Sequence, residues 1–171
     1  MNKTLMVLLL PLALAACAPA ADDPNAAANM ASVDVQYMQA TAGSNMFEIT
    51  TSQLALNQGS AQAVKDYANE MITDHQKAQT DLTALAKTKN VALPATLPPN
   101  LQVKYNALKQ LSGADFDAAY GKEQYLSHQV TLSIQQNEVQ QGQDADVKAY
   151  ANVQVPIITM HTQMAKTLPA P

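Results

Sequence analysis

The sequence predicts an all-α fold, an antiparallel four-helix bundle with a short extra helix in the crossover. Three observations carry that expectation. Ala, Leu, Gln, Met and Lys are abundant, Gly numbers only 5 and Trp is absent, a composition that favours helix over sheet. Apolar residues recur at spacings of three and four along several segments, which places them in a stripe on one side of a helix. Gly and Pro divide the chain into four long helical segments, and two of the breaks are short enough to be hairpin turns. A chain of 171 residues suits one domain with a proper core.

The elements follow in chain order. Residues 1–16 read as a lipoprotein signal peptide: Lys3 supplies a positive start, Leu5 to Leu14 an apolar middle, and Ala15 and Ala16 the small residues before cleavage. The stretch is too short to span a bilayer as a helix. Leu14-Ala15-Ala16-Cys17 resembles the bacterial lipobox, in which the cysteine becomes the first mature residue and carries lipid, palmitate included. Cys17 is the only cysteine, so no internal disulfide is possible. Several acyl chains on one residue anchor a protein stably, at about 0.8 kcal/mol per buried CH₂. Ala18 is not aspartate, which by resemblance to enterobacterial sorting rules favours the outer membrane, with the domain in the periplasm. Residues 17–31 combine this cysteine with a tether rich in Ala, Asp, Asn and Pro and without apolar periodicity.

The helical domain is expected over 32–168. The first helix spans about Ser32 to Gln58 and ends at Gly59, after which Ser60 is placed as the N-cap of the second. The second, about Ala61 to Lys89, carries a seam of Val64, Ala68, Met71, His75, Ala78, Leu82 and Leu85. Leu93-Pro94-Ala95-Thr96-Leu97-Pro98-Pro99 interrupts the helical pattern. Asn100 to Leu111 reads as the short extra helix, closed by Gly113. The third long helix runs from near Asp115 to near Gly142, with one stripe of Tyr125, His128, Leu132 and Val139 and another of Phe116, Tyr120, Val130 and Ile134. Asp144 caps the fourth, which runs to about Leu168 with a seam of Val147, Tyr150, Gln154, Ile157, His161, Met164 and Leu168.

The chain also repeats itself. Val64-Lys65-Asp66-Tyr67-Ala68-Asn69 matches Val147-Lys148-Ala149-Tyr150-Ala151-Asn152, and Gly59 matches Gly142, each pair 83 residues apart. Ile72-Thr73-Asp74-His75 resembles Ile158-Thr159-Met160-His161 with the histidines 86 apart. Three extra residues near Pro156 account for the difference, and a proline there is expected to kink the helix.

Along the whole of this domain the sequence resembles the bacterial family of unknown function 4142. The matching features are Phe47-Glu48-Ile49, Leu54-Ala55, Val64-Lys65, Ala68, Asp74-His75, Leu93-Pro94, Phe116-Asp117, Tyr120, His128, Pro156 and His161. The resemblance implies a ferritin-like bundle and a place in the cell envelope. It implies no activity and carries no functional residues with it.

Candidate chemistry rests on Glu48, Asp74, His75, His128 and His161, which together draw on all four long helices. Facing histidines and carboxylates are the usual material of a metal site in a bundle core. The alternative is structural: each ring donates to a carbonyl or pairs with a carboxylate, and Glu48 shares a solvated polar stripe with Asn45 and Ser52. Asp74 and His75 point roughly 100° apart on a helix and do not both face the axis. Ile72 and Ile158 stand where a ferritin-like di-iron centre needs glutamate three residues before each histidine. Copper or zinc suits imidazole better, with Met71, Met160 and Met164 near the histidines. The tyrosines are expected to hold their hydroxyls at the bundle edge.

Other functions have less to stand on. Net charge is −4 and the 10 basic residues, all lysine, form no cluster along the sequence, so the clustered positive charge that displaces nucleic-acid counterions is missing. No nucleophile elbow or Gly-rich phosphate loop occurs. Three readings remain from the sequence, in this order. The first is a non-enzymatic envelope module, interacting with a protein partner or serving stress resistance, held to the membrane through lipidated Cys17. The second is a bundle that binds a transition metal ion (copper, zinc or iron) through the five residues named above. The third is a di-iron oxidase.

Overall fold

The computed structural model describes residues 33–169. The expected leader, Cys17 and the whole of the tether lie outside the described residues. Five helices make up the domain: α1 Asp34–Gln58, α2 Gln62–Thr88, α3 Pro99–Leu108, α4 Gly113–Gln141 and α5 Ala145–Ala165. No strand occurs among the described residues, and no helix among them is long and apolar enough to cross a membrane.

Each long helix starts and stops for local reasons. Gly59 ends α1 in extended backbone, and an added Cβ there would press on the Ala55 carbonyl at 2.6 Å and on Asp117 at 3.0 Å. Ser60 is not the N-cap of α2. That position is Ala61, which has no side-chain cap of its own. Asp117 reaches across from α4 to accept from the Ser60 and Ala61 amides at 3.0 and 2.8 Å, and from the Ser60 hydroxyl. A carboxylate from another helix thus satisfies the donors a local cap would take. Asn90, in the left-handed region at φ 56°, ends α2 in a conformation that Asn tolerates. Gly113 does not close α3, which ends at Leu108. It opens α4, at φ 61°. Asp144 caps α5, its carboxylate accepting from the amides of Asp146 and Val147. That helix runs unbroken through Pro156.

The two hairpins, α1–α2 and α4–α5, pack side by side, so that α1 borders α2 and α4 while α5 borders α4 and α2. Neighbours run antiparallel: on α1 and α4 Ser52 meets Tyr120 and Ser44 meets Thr131, and on α2 and α5 Asp74 meets His161 and Ala78 meets Tyr150. The crossover at 89–112 joins the diagonal pair α2 and α4, which run the same way. It must therefore travel back along the bundle, and α3 packs on α1 as it does so.

The interior is layered. At the Gly59 end lies an apolar cluster of Val64, Tyr67, Met71, Phe116, Tyr120 and Leu168. At the Gly142 end lies another, of Tyr37, Met38, Leu82, Val147 and Ala151. Asn45, Glu48, His75, Gln124, His128 and His161 are buried as well, and by position along the helices they fall between the clusters. The expected stripes of α4 are therefore revised. Its buried face is mostly polar (Asp117, Gln124, Ser127, His128, Thr131, Gln135 and Glu138), and Val130 is exposed. Glu48, Asn45 and Ser52 are buried rather than solvated. Tyr37 and Tyr120 likewise turn their hydroxyls inward, to Gln135 and Ser52.

The repeat read from the sequence is present in the contacts. Asp34 accepts from the amides of Gln143 and Asp144 at the second hairpin turn, as Asp117, 83 residues on, does from Ser60 and Ala61 at the first. Tyr37 packs edge-on against Tyr150, as Tyr120 does against Tyr67.

Candidate metal centre

His75 comes from α2, His128 from α4 and His161 from α5. All three are buried, at 2%, 1% and 0% exposure. Their ring centroids lie 5.4 to 5.6 Å apart, and one nitrogen from each falls within 4.8 Å of the other two. The ordinary 3.6-residue turn explains why: His75 continues the seam of Val64, Ala68 and Met71, at steps of four and three. The same rule puts Asp74 off that seam.

Each imidazole has one nitrogen engaged. His75 Nδ1 lies 3.0 Å from Asn45 Oδ1, and the Asn45 amide group in turn donates to Gln79. His128 Nδ1 lies 2.9 Å from the Gln124 carbonyl, one turn back on its own helix. His161 Nε2 lies 2.9 Å from Asp74 Oδ2. All three partners present an oxygen, so each engaged nitrogen is the N–H and each remaining nitrogen carries a lone pair. Those remaining atoms, His75 Nε2, His128 Nε2 and His161 Nδ1, are buried and have no hydrogen-bond partner. The structural reading of the histidines accounts for one nitrogen of every ring and leaves the other unexplained. A buried polar atom without a partner costs about 1–3 kcal/mol, and here three lie together.

The electrostatics favour the neutral form of His75 and His161. Burial holds the His75 pKa well below its ordinary value, with His128 and His161 adding to the effect. His161 is pushed down to about 4 by burial, against an upward pull from its bond to Asp74, with His128 lowering it further. Neutral imidazole is the form that donates a lone pair to a metal.

The two carboxylates expected from the sequence sit outside the group of three. Asp74 is half-buried and holds the outer face of His161. Glu48 is 3.9 Å from His128 Nδ1, the engaged nitrogen of that ring, and accepts from the Ser127 hydroxyl at 2.8 Å. Burial raises its pKa, against the lowering effects of His128, Ser127 and Gln124. Met71 is buried in the apolar cluster at the Gly59 end, whereas Met160 is exposed. Asn45 and Gln124 complete the support of the rings. Neither stands out in the sequence; the one signal for Asn45 is its place on α1 three residues before Glu48, on the same polar stripe.

A family profile described as a domain of unknown function, DUF4142, matches residues 19–168. Among solved structures the chain is similar to one titled "Crystal structure of DUF305 fragment from Deinococcus radiodurans". The TM-score is 0.70 at 10% identity, over 79% of this chain and 93% of that one. At that identity the likeness is one of fold. No curated protein gave a match.

Proposed function

The chain belongs to the DUF4142 family, whose description assigns no activity, and we propose from the site itself that this domain binds a transition metal ion through His75, His128 and His161. The observation that carries the reading is the meeting of three buried imidazoles, one nitrogen of each within 4.8 Å of the other two, in which every ring also keeps one nitrogen without a hydrogen-bond partner. Zinc and copper ions form bonds to imidazole of about 2.0–2.1 Å, which sets ligand nitrogens about 3.3–3.6 Å apart in tetrahedral or trigonal geometry. Nitrogens within 4.8 Å of one another reach that spacing when each ring moves inward by less than about 1 Å. An outer partner for every ring is the usual companion of metal-bound histidine, because it fixes the tautomer and the ring plane.

The donor set favours zinc or copper over iron, since it is all nitrogen and brings no carboxylate. Three protein ligands leave a further coordination position open, as in catalytic rather than closed structural zinc sites. Storage, transfer and chemistry at the metal are all compatible with that opening. The signal-peptide and lipobox pattern supports placing this domain on a lipid anchor at Cys17, in the envelope and on the outer membrane. Metabolic labelling with an alkynyl palmitate, lost in Cys17→Ala, tests that placement.

The metal reading is tested by elemental mass spectrometry on the protein purified without a histidine tag, beside His75→Ala/His161→Ala. Near-stoichiometric zinc or copper in the first and none in the second, with equal helicity, is the expected result. No metal in either after incubation with each ion would overturn the reading. The envelope interaction module would then be the better account.

A further inference from the structure

Resting on the reading of the histidine triad as a metal site, we propose that Glu70, Asp74 and the outer nitrogen of His161 form a second, outer metal station that loads the buried one. One ligand atom from each of these residues lies within 4.8 Å of the other two. His161 thus belongs to both groups and is completely buried, whereas Glu70 and Asp74 are half-buried and reach solvent. Its two nitrogens divide the work: Nε2 faces Asp74 at 2.9 Å, and Nδ1 is the unpartnered atom of the triad.

The surroundings fit a route inward. Asp66, Glu70 and Asp74 stand at successive steps of four on α2, so they form a ladder of carboxylates along one face. Among the described residues no lysine forms an ion pair with any of the three. Asp66 and Glu70 line a surface depression together with Tyr67 and Met164, and the Tyr67 ring stands edge-on to His128, at 6.5 Å between centroids. Two carboxylates and an imidazole suit a partly hydrated divalent ion, while the buried, all-imidazole triad suits one that has shed its water.

A neutral imidazole has one lone pair, so the two stations use His161 in turn. With the ion outside, Nε2 is the ligand and Nδ1 carries the proton. With the ion inside, Nδ1 is the ligand and Nε2–H donates to Asp74. Transfer moves the ion inward and one proton outward, from Nδ1 to solvent and from solvent to Nε2, and leaves the ring neutral at both ends.

The test is stopped-flow loading of the metal-free protein with Co²⁺, whose absorption reports entry into a nitrogen-rich site, and with Zn²⁺ against a chromophoric chelator. Glu70→Gln removes an outer ligand and leaves all three imidazoles of the triad in place. An on-pathway station predicts that loading and release both slow, by roughly tenfold on the scale of electrostatic capture, with final stoichiometry and equilibrium affinity unchanged. His75→Ala, which breaks the inner site, is expected to keep a weaker Zn²⁺ site that disappears on adding Glu70→Gln. Wild-type loading rates in Glu70→Gln would overturn the outer station and leave the triad standing. No uptake by the wild-type protein would overturn the triad reading and this inference with it.

Discussion

Asn45→Leu is the substitution that most directly separates a metal centre from a set of structural histidines. Asn45 is buried and holds His75 Nδ1 at 3.0 Å, and leucine has the same branching and number of heavy atoms, though more bulk, and no acceptor. Two costs follow. In the metal-free protein the ring N–H is left buried without a partner, which costs about 1–3 kcal/mol. The ring is also released from the tautomer that aims the Nε2 lone pair at His128 and His161. Losing such an outer partner typically weakens metal binding by about 10–100-fold, equivalent to about 1.4–2.8 kcal/mol. Urea unfolding of the metal-free protein measures the first cost, and Zn²⁺ competition against a chromophoric chelator measures the second. Asn45→Asp keeps an acceptor for the ring and is expected to retain most of the affinity. An Asn45→Leu protein that loses stability but binds Zn²⁺ as tightly as wild type would refute the reasoning. The hydrogen bond would then be holding His75 for the fold alone.

Other consequences follow from the caps and the buried acids. Asp117→Ala strips the Ser60 and Ala61 amides and the Ser60 hydroxyl of their acceptor and is expected to cost about 2–4 kcal/mol in urea unfolding. Asp34→Ala is expected to cost somewhat less, because Asp34 receives only the Gln143 and Asp144 amides. Gly142→Ala would drive a Cβ into the Glu138 carboxylate, for a loss of about 1–3 kcal/mol in the same assay. Glu138 is raised from its ordinary 4.5 to about 7 by burial and then by Asp34. Its protonated form favours the fold, so its contribution is complete below pH 4.5 and is lost as pH rises through about 7. His75 and His161, both lowered from 6.5, contribute fully above pH 6.5 and lose that contribution as pH falls, for His161 through about 4. The opposing slopes overlap between pH 4.5 and 6.5. Chemical denaturation of metal-free Glu138→Gln across pH 4.5–8 is therefore expected to show a steeper loss on the acid side than wild type, and a gain on the order of 1–2 kcal/mol at pH 8.

Local signals made the elements legible and gave less of the interior. The helices, the glycine hairpins and the Asp144 cap depend on residues close in the chain, and the sequence showed them. The cap of α2 was misplaced because its acceptor, Asp117, is 57 residues from Ser60, and no local pattern announces a carboxylate arriving from another helix. The face of α4 was misread for a related reason. Periodicity arguments look for apolar stripes, and this helix buries Gln124, Ser127, Thr131 and Gln135, each satisfied by partners that the sequence does not reveal. His75 and His161 were legible because they interrupt otherwise apolar seams. Which nitrogen of each ring is free depends on Asn45, Gln124 and Asp74, and that belongs to the assembled bundle.

The internal repeat sorts scaffold from site. Positions 83 residues apart that keep their residue type include those that hold the hairpins together: Asp34 and Asp117 at the turns, Gly59 and Gly142 within them, and Tyr37 and Tyr120 against Tyr150 and Tyr67. Several of the positions that have diverged lie in or beside the buried polar layer. Past Pro156 the buried positions of α5 keep the 83-residue spacing to those of α2 (Ala68 and Ala151, His75 and Ile158, Ala78 and His161), so the three-residue insertion expected from the sequence does not occur in the helix. In that register Asn45 corresponds to His128, Glu48 to Thr131, His75 to Ile158 and Ala78 to His161, and Ala55 corresponds to Glu138. A bundle that needed only to fold could keep either residue at each of these places, since burying a polar group costs free energy that an apolar one does not. Instead the second half supplies two histidines where the first has Asn45 and Ala78, and the first supplies one where the second has Ile158. The three imidazoles therefore come from both halves, and the seat equivalent to His128 holds Asn45, whose side chain orients His75. An asparagine that orients His75, in the seat equivalent to His128, is an arrangement that fits the proposed three-ligand site with an open position.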